Sequence, residues 1–236
     1  MPDDLTALIQ RVKRLDRAGK QQVFEAIKDD IAVHKLEEHF GVSVQVICEA
    51  ILRATDLTQR GIRGVIAETV FAMDIVPTII GWSDDTPAGD LPYDVRLTDG
   101  RRHFRIQVKL QRRIRGELLM RARVRNGPKD YYAVEVQRTR TGTNNGEDTR
   151  PYRFGEFDLL AVCMQPSTRD WHDFLYAASK SLQPKIRGGV PVLVGGEPTI
   201  ETIQCVPPYP THNDPSWTAD IASALQNLGA VANLSS

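Results

Sequence analysis

The segment PYDVRLTDGRRHFRIQVKLQRR, residues 92–113, alternates with a period of two on both sides of an Asp-Gly dipeptide. On the first arm Tyr93, Val95 and Leu97 are apolar, and Asp94 and Arg96 are polar. On the second, Phe104, Ile106, Val108 and Leu110 are apolar, while Arg105, Gln107, Lys109 and Gln111 are polar. Successive side chains of a strand point to opposite faces, so this pattern commits the chain to an antiparallel hairpin with one apolar face. Asp99-Gly100 predicts a two-residue turn. Val95 then faces Phe104, Tyr93 faces Ile106, and Asp94 lies diagonal to Gln107. Asp94, Gln107 and Lys109 share the polar face.

What surrounds the hairpin sets the fold class. Before it the chain reads as helices. Leu5, Leu8, Ile9, Val12 and Leu15 recur at helical spacing, as do Val23, Ile27 and Ile31. Residues 36–54 have a helix-turn-helix silhouette, with Gly41 at a left-handed turn and Ser43 as the N-cap of the second helix. Residues 57–77 predict one more helix, stopped by Pro77, and GWSDDTPAGDLP a loop. After the hairpin come more strands: LLMRARVR, YYAVEVQR and the apolar run FDLLAVCM, which reads as a central strand. RDWHDFLYAASKSL predicts a helix capped by Ser167 and Thr168. VPVLVGG predicts a short strand. PSWTADIASALQNLG predicts a terminal helix starting at Pro215 and Ser216. The polar stretch at 141–153 predicts a long loop without a strand. The expected class is α/β, a central mixed sheet with helices on both faces. A helical N-terminal segment (1–56) precedes the main domain (57–236), and 236 residues suffice for that plan.

Several classes are excluded. No apolar run approaches ~18 residues, so no membrane partner is expected. The N-terminus lacks the basic-then-apolar pattern of a secretory leader, so the expected location is the cytoplasm. Cys48, Cys163 and Cys205 are far apart, odd in number and set among apolar residues, which predicts buried free thiols. The five histidines form no ligand pair. No Walker loop, dinucleotide fingerprint or Ser-His-Asp set is present.

Charge points to a partner. The 30 basic residues balance the 30 acidic ones overall. Residues 96–140, however, hold 14 basic and 4 acidic residues, and residues 56–95 hold 2 and 7. Arginine outnumbers lysine twelve to two in the basic strip. Guanidinium forks suit phosphate and the edge of guanine. Arg105, Arg112, Arg113, Arg115, Arg138 and Arg140 are the candidate contacts to double-stranded DNA. Asn144 and Asn145 are candidates for reading base edges from the loop.

A carboxylate on one strand and a lysine on the next suit metal-assisted phosphodiester hydrolysis. Asp94 would hold Mg²⁺, a hard cation that takes oxygen ligands. Lys109 would orient the attacking water and offset negative charge in the transition state. Pro92-Tyr93-Asp94 followed by Gln107-Val108-Lys109 resembles the motif of the PD-(D/E)-x-K nucleases, the superfamily of most type II restriction endonucleases. One residue is inserted between Pro92 and Asp94, and Gln107 replaces the usual acid. The likeness covers roughly residues 57–182. It implies a restriction-endonuclease-like fold and Mg²⁺ as cofactor. It also implies Glu68 as a further metal contact, Gln107 as a weak oxygen ligand, and a homodimer cutting both strands of double-stranded DNA at a specific site. Glu135 on the next strand is a competing source of the acid. Two other readings stay open: a repair or junction-resolving nuclease of the same fold, and a non-catalytic regulator binding DNA through residues 36–54.

Overall fold

The computed structural model describes residues 2–27, 35–114, 117–119, 131–138, 143–144, 147–148, 150–208 and 214–233. The chain divides into two compact units, Met1–Gln59 and Arg60–Ser236.

The first unit is helical: α1 (Pro2–Arg14), α2 (Arg17–Ile27), α3 (Lys35–Phe40), α4 (Val44–Arg53) and the start of α5 (Asp56–Val70). Within the stretch read as a helix-turn-helix silhouette, α3 and α4 are separated by three residues. Gly41 adopts φ 66 between α3 and α4, a left-handed value that glycine takes without a Cβ penalty. Ser43 is the N-cap by position, but its hydroxyl caps nothing. Glu37 does the capping instead, its Oε1 accepting from the Val44 N–H at 2.6 Å. The thiol expectation fails in this unit: all three cysteines are free, and Cys163 is buried, but Cys48 is exposed on α4, where no described residue is buried.

The second unit is built on a mixed sheet. Its strands are β1 (Ser83–Asp84), β2 (Val95–Thr98), β3 (His103–Leu110), β5 (Leu159–Cys163) and β6 (Phe174–Ala178), in the order β1-β2-β3-β5-β6. β3 and β5 are parallel and the other pairs antiparallel. β4 (Tyr132–Glu135) and β7 (Ile203–Val206) form a separate antiparallel ladder. β5 is buried along its whole length, as LLAVC requires of a central strand. β1 lies inside the segment expected to be loop.

The hairpin forms with a register two residues away from the expected one. Val95 pairs with Ile106 and Leu97 with Phe104. The turn is longer because Asp99 organises it: its Oδ1 accepts from the backbone N–H of Arg101 and Arg102, and Gly100 takes φ 82. A shift of two preserves which side chains share a face, so the polar set stays together.

Two cores flank the sheet. On one face Phe104, Ile106 and Val108 of β3 pack with Ala67 and Phe71 and with Ala224 and Leu225 of α7 (Ile221–Asn233). On the other, Leu160 and Val162 of β5 pack with Val134 of β4 and with Val206, Phe157 and Tyr152. The fold is thus a mixed α/β structure with a central mixed sheet and flanking helices. Helices gather on the first face; on the second, where they were also expected, the β4–β7 ladder takes their place.

Four sequence assignments are overturned. Residues 174–178 form a strand, not a helix. A four-residue helix, α6 (Gln165–Thr168), ends at Arg169 with φ 69, and the chain then returns along β5. Phe174 and Tyr176 enter one core and Leu175 and Ala177 the other, so burial on both faces overrides the helical spacing. The terminal helix starts at Ile221 because Thr218 exchanges two backbone hydrogen bonds with Tyr176, and Asp220 caps the N–H groups of Ala222 and Ser223. Within 141–153, Thr143–Asn144 pairs with Glu147–Asp148, where no strand was expected. VPVLVGG carries two separate two-residue strands, Val190–Pro191 and Leu193–Val194. Most of the strand expected from LLMRARVR lies outside the described residues. Among the described residues, no helix is long and apolar enough to cross a membrane.

Candidate active site

Pro92 begins the site. It has no N–H to donate, so the ladder cannot run on past it. Asp94 makes the last backbone bond, N–H to Ile106 O at 3.0 Å. Its carboxylate then takes the next ladder position: Oδ2 accepts from Val108 N–H at 2.7 Å and from the Gln107 amide. Asp94 and Gln107 are therefore direct partners rather than diagonal neighbours. Gln107 is almost wholly buried and also donates to Val108 O. As placed, it turns its amide nitrogen to Asp94. It holds the acid in position, and offering its oxygen to a metal would require the amide to turn over.

Burial pushes the Asp94 carboxyl above its ordinary range, against the pull of the Lys109 ammonium and the two donated hydrogen bonds. Lys109 stands two residues along β3 and so on the same face as Gln107. Burial drives its ammonium below the usual value, while Asp94 and Glu68 hold it up. Its Nζ donates to the Tyr152 hydroxyl at 3.5 Å and lies 5.5 Å from that ring's centre.

Glu68 comes from the last turn of α5, immediately before a π-helical turn, Phe71–Ile75. Ala67 and Phe71 beside it are fully buried and lock the helix onto the sheet. Desolvation first, and then the Asp94 charge, raise the Glu68 carboxyl to about 7, with Lys109 opposing. Glu68, Asp94 and Lys109 are thus one electrostatically coupled group. Two half-buried carboxylates that resist ionisation, together with a single lysine, leave a site short of positive charge.

That shortfall is what a divalent cation would fill. The donors are hard oxygens, which suit Mg²⁺ rather than a soft metal. Among the described residues, no group of three or more His, Cys, Asp or Glu gathers to make an all-protein cage. Mg²⁺ does not need one, since it is commonly held by one or two carboxylates with water and substrate phosphate completing its shell. The Asp94 Oδ1 takes no hydrogen bond from the described residues.

The expected DNA contacts divide into three groups. Arg105 forks onto Asp158, Nη2 to Oδ1 at 2.8 Å and Nε to Oδ2 at 3.0 Å, which joins the starts of β3 and β5. Arg112 pairs with Glu135, so the competing acid is already engaged. Arg138 bonds Glu156 at 2.7 Å, and Arg113 donates to Pro166 O. Asn144 lies in the two-residue ladder at 143–148. Arg115, Arg140 and Asn145 fall outside the described residues. Tyr152, Glu156 and Asp158 were not singled out from the sequence. PYRFGEFD sets two acids at alternate positions just before an apolar strand, but nothing in that pattern names their arginine partners.

No protein-family model matches the chain, and no curated protein matches it. A bacterial homing endonuclease of known structure is similar to it. The identity is 19%, the TM-score is 0.37, and the match covers 75% of this chain and 97% of that one.

Proposed function

We propose that this chain is a Mg²⁺-dependent endonuclease of double-stranded DNA, site-specific in the manner of a type II restriction enzyme and acting as a homodimer. The observation that carries the reading is the coupled group itself: Glu68, Asp94 and Lys109 together at the end of a hairpin, with Asp94 fixed by Gln107 and Val108. Glu68 and Asp94 would hold Mg²⁺, which when bound would supply polarisation of the scissile phosphate and a water of lowered pKa.

The chain's own residues supply the rest. Asp94 is held rigidly by two hydrogen bonds, so its free oxygen is pre-aimed. The Lys109 ammonium feels the charge of both acids, and from the polar face of β3 it can orient the water and meet negative charge as it builds on the phosphate. Gln107 and Tyr152 are both almost wholly buried, and low-dielectric surroundings strengthen each charge interaction. A homodimer would pair two such sites with the two strands of a palindromic target.

Purified protein incubated with unmethylated plasmid or phage DNA tests this, with Mg²⁺ or with EDTA, beside Lys109→Ala. Discrete fragments are expected only with Mg²⁺, and the variant should cut at least a hundredfold more slowly. Intact DNA that is nonetheless retarded on a gel would remove the catalytic reading. It would favour the α3–α4 helix-turn-helix as the working part of a DNA-binding regulator.

A further inference from the structure

We infer that Tyr152 is the positioning residue of the site: its hydroxyl holds the Lys109 ammonium in place, and Arg138 anchored on Glu156 steadies the ring. The inference rests on the nuclease reading for its consequence in catalysis, but the contact stands on geometry alone.

Lysine is a poor choice for a fixed charge. Its four-carbon stem has many rotamers, and its ammonium is a point donor without the planar fork of arginine. Something must restrict it if it is to place a water molecule to within a fraction of an ångström. Asp94 and Glu68 attract it without fixing a direction. Tyr152 provides that direction. Its hydroxyl accepts from Nζ at 3.5 Å, and the same ammonium lies 5.5 Å from the ring centre, which places it at the hydroxyl edge of the ring rather than over its face.

The tyrosine is itself immobilised. Only 4% of it is exposed, and its ring meets Phe157 edge-on at 5.4 Å. Its backbone is held on both sides: Pro151 bridges Gln137, Arg153 bridges Thr199, and the Tyr152 carbonyl accepts from Ile200 N–H at 2.7 Å. A second cation, the Arg138 guanidinium, lies 5.2 Å from the ring centre. Glu156 fixes that guanidinium at 2.7 Å and also accepts from the Arg153 backbone N–H and guanidinium at 2.9 and 3.0 Å. Burial also raises the Tyr152 hydroxyl further above its ordinary range, so it stays protonated and neutral. It therefore serves as an acceptor that cannot compete with the acids for the metal.

This gives the basic strip a second task. Arg138 was expected to reach DNA; here it supports the residue that supports the lysine.

Two measurements decide the matter. In the first, single-turnover cleavage and DNA affinity are compared for the parent, Tyr152→Phe, Lys109→Ala and the double variant. Phenylalanine keeps the ring and removes the acceptor, so cleavage should fall roughly tenfold with DNA affinity unchanged. In the Lys109→Ala background the same change should have no further effect. Equal losses in both backgrounds would mean a merely structural tyrosine and would overturn the inference. The second measurement does not use activity. The protein is labelled with ¹³Cζ-tyrosine, and the Tyr152 resonance is identified by its loss in Tyr152→Phe. It should move in Lys109→Met and stay in place in the control Lys180→Ala. A resonance that ignores Lys109→Met removes the contact, even if the protein cuts DNA. A resonance that moves in a protein that cuts no DNA keeps the contact and removes the nuclease reading instead.

Discussion

Glu68 is the residue whose chemistry departs furthest from its ordinary range among the two site acids. Its carboxyl is raised from 4.5 to about 7. The folded state therefore binds that proton more tightly than the unfolded chain does. The resulting stability is complete below pH 4.5 and is lost as the pH rises through 7. Glu68→Gln removes the titration. In EDTA, the variant should melt at nearly the parent's temperature at pH 4.5 and above it at pH 8. Glu68 remains partly open to solvent, so the gain is on the order of 1 kcal/mol, roughly 2–4 °C. Parallel melting curves across that range would show that Glu68 carries no raised pKa. Residues such as this were legible because they break a pattern: an acid in GVIAETVFAM has few reasons to be there. Asp158 and Glu156 were not legible in the same way. Each is an ordinary acid in an ordinary loop until the fold brings Arg105 or Arg138 against it, 53 and 18 residues away in sequence.

Elements were read well where one periodicity was exclusive and poorly where two were compatible. The β3 strand keeps strict alternation, because one face enters a core and the other carries the polar site. Residues 174–178, FLYAA, are instead an unbroken apolar run with no exclusive period, so WHDFLYAASKSL fits a helix and a strand alike. Only the presence of β5 on one side and two cores above and below selects the strand. The hairpin register failed for a different reason. Asp-Gly favours a two-residue turn, yet the Asp99 side chain can tie two further N–H groups and lengthen it. The junction of α5 with its π turn is the element the site depends on most. Phe71 fills it, fully buried, at 5.4 Å from Phe174 and 6.4 Å from Tyr176. Phe71→Ala should cost about 3–5 kcal/mol in urea unfolding, with an unchanged slope. Met73, 69% exposed on the same turn, provides the control, and its alanine variant should fall within about 0.5 kcal/mol of the parent. If both variants behaved alike, the turn would not be packed as described.

At the scale of the whole molecule, the fold turns acids back onto the arginines. Asp85 takes Arg96, Asp158 takes Arg105, Glu135 takes Arg112, and Glu156 takes Arg138 and Arg153. The basic strip that dominated the sequence is therefore in good part internal wiring of the second unit. The same unit holds every buried side chain among the described residues, from Ala67 to Leu225. It also holds all four residues of the proposed site. The first unit contributes helices with strongly exposed apolar positions, Leu8 and Leu52 among them, and none of its described residues is buried. A variant beginning at Thr55 keeps α5 whole and separates these contributions. It should unfold in one cooperative step, with a midpoint within a few degrees of the parent, and should lose helical circular dichroism in proportion to α1–α4. It should keep Mg²⁺-dependent cutting that Lys109→Ala abolishes, with DNA affinity the quantity that falls. A broad, non-cooperative transition would mean that the second unit requires the first to complete its core. Full DNA affinity in the truncated protein would leave α3 and α4 with no part in binding DNA.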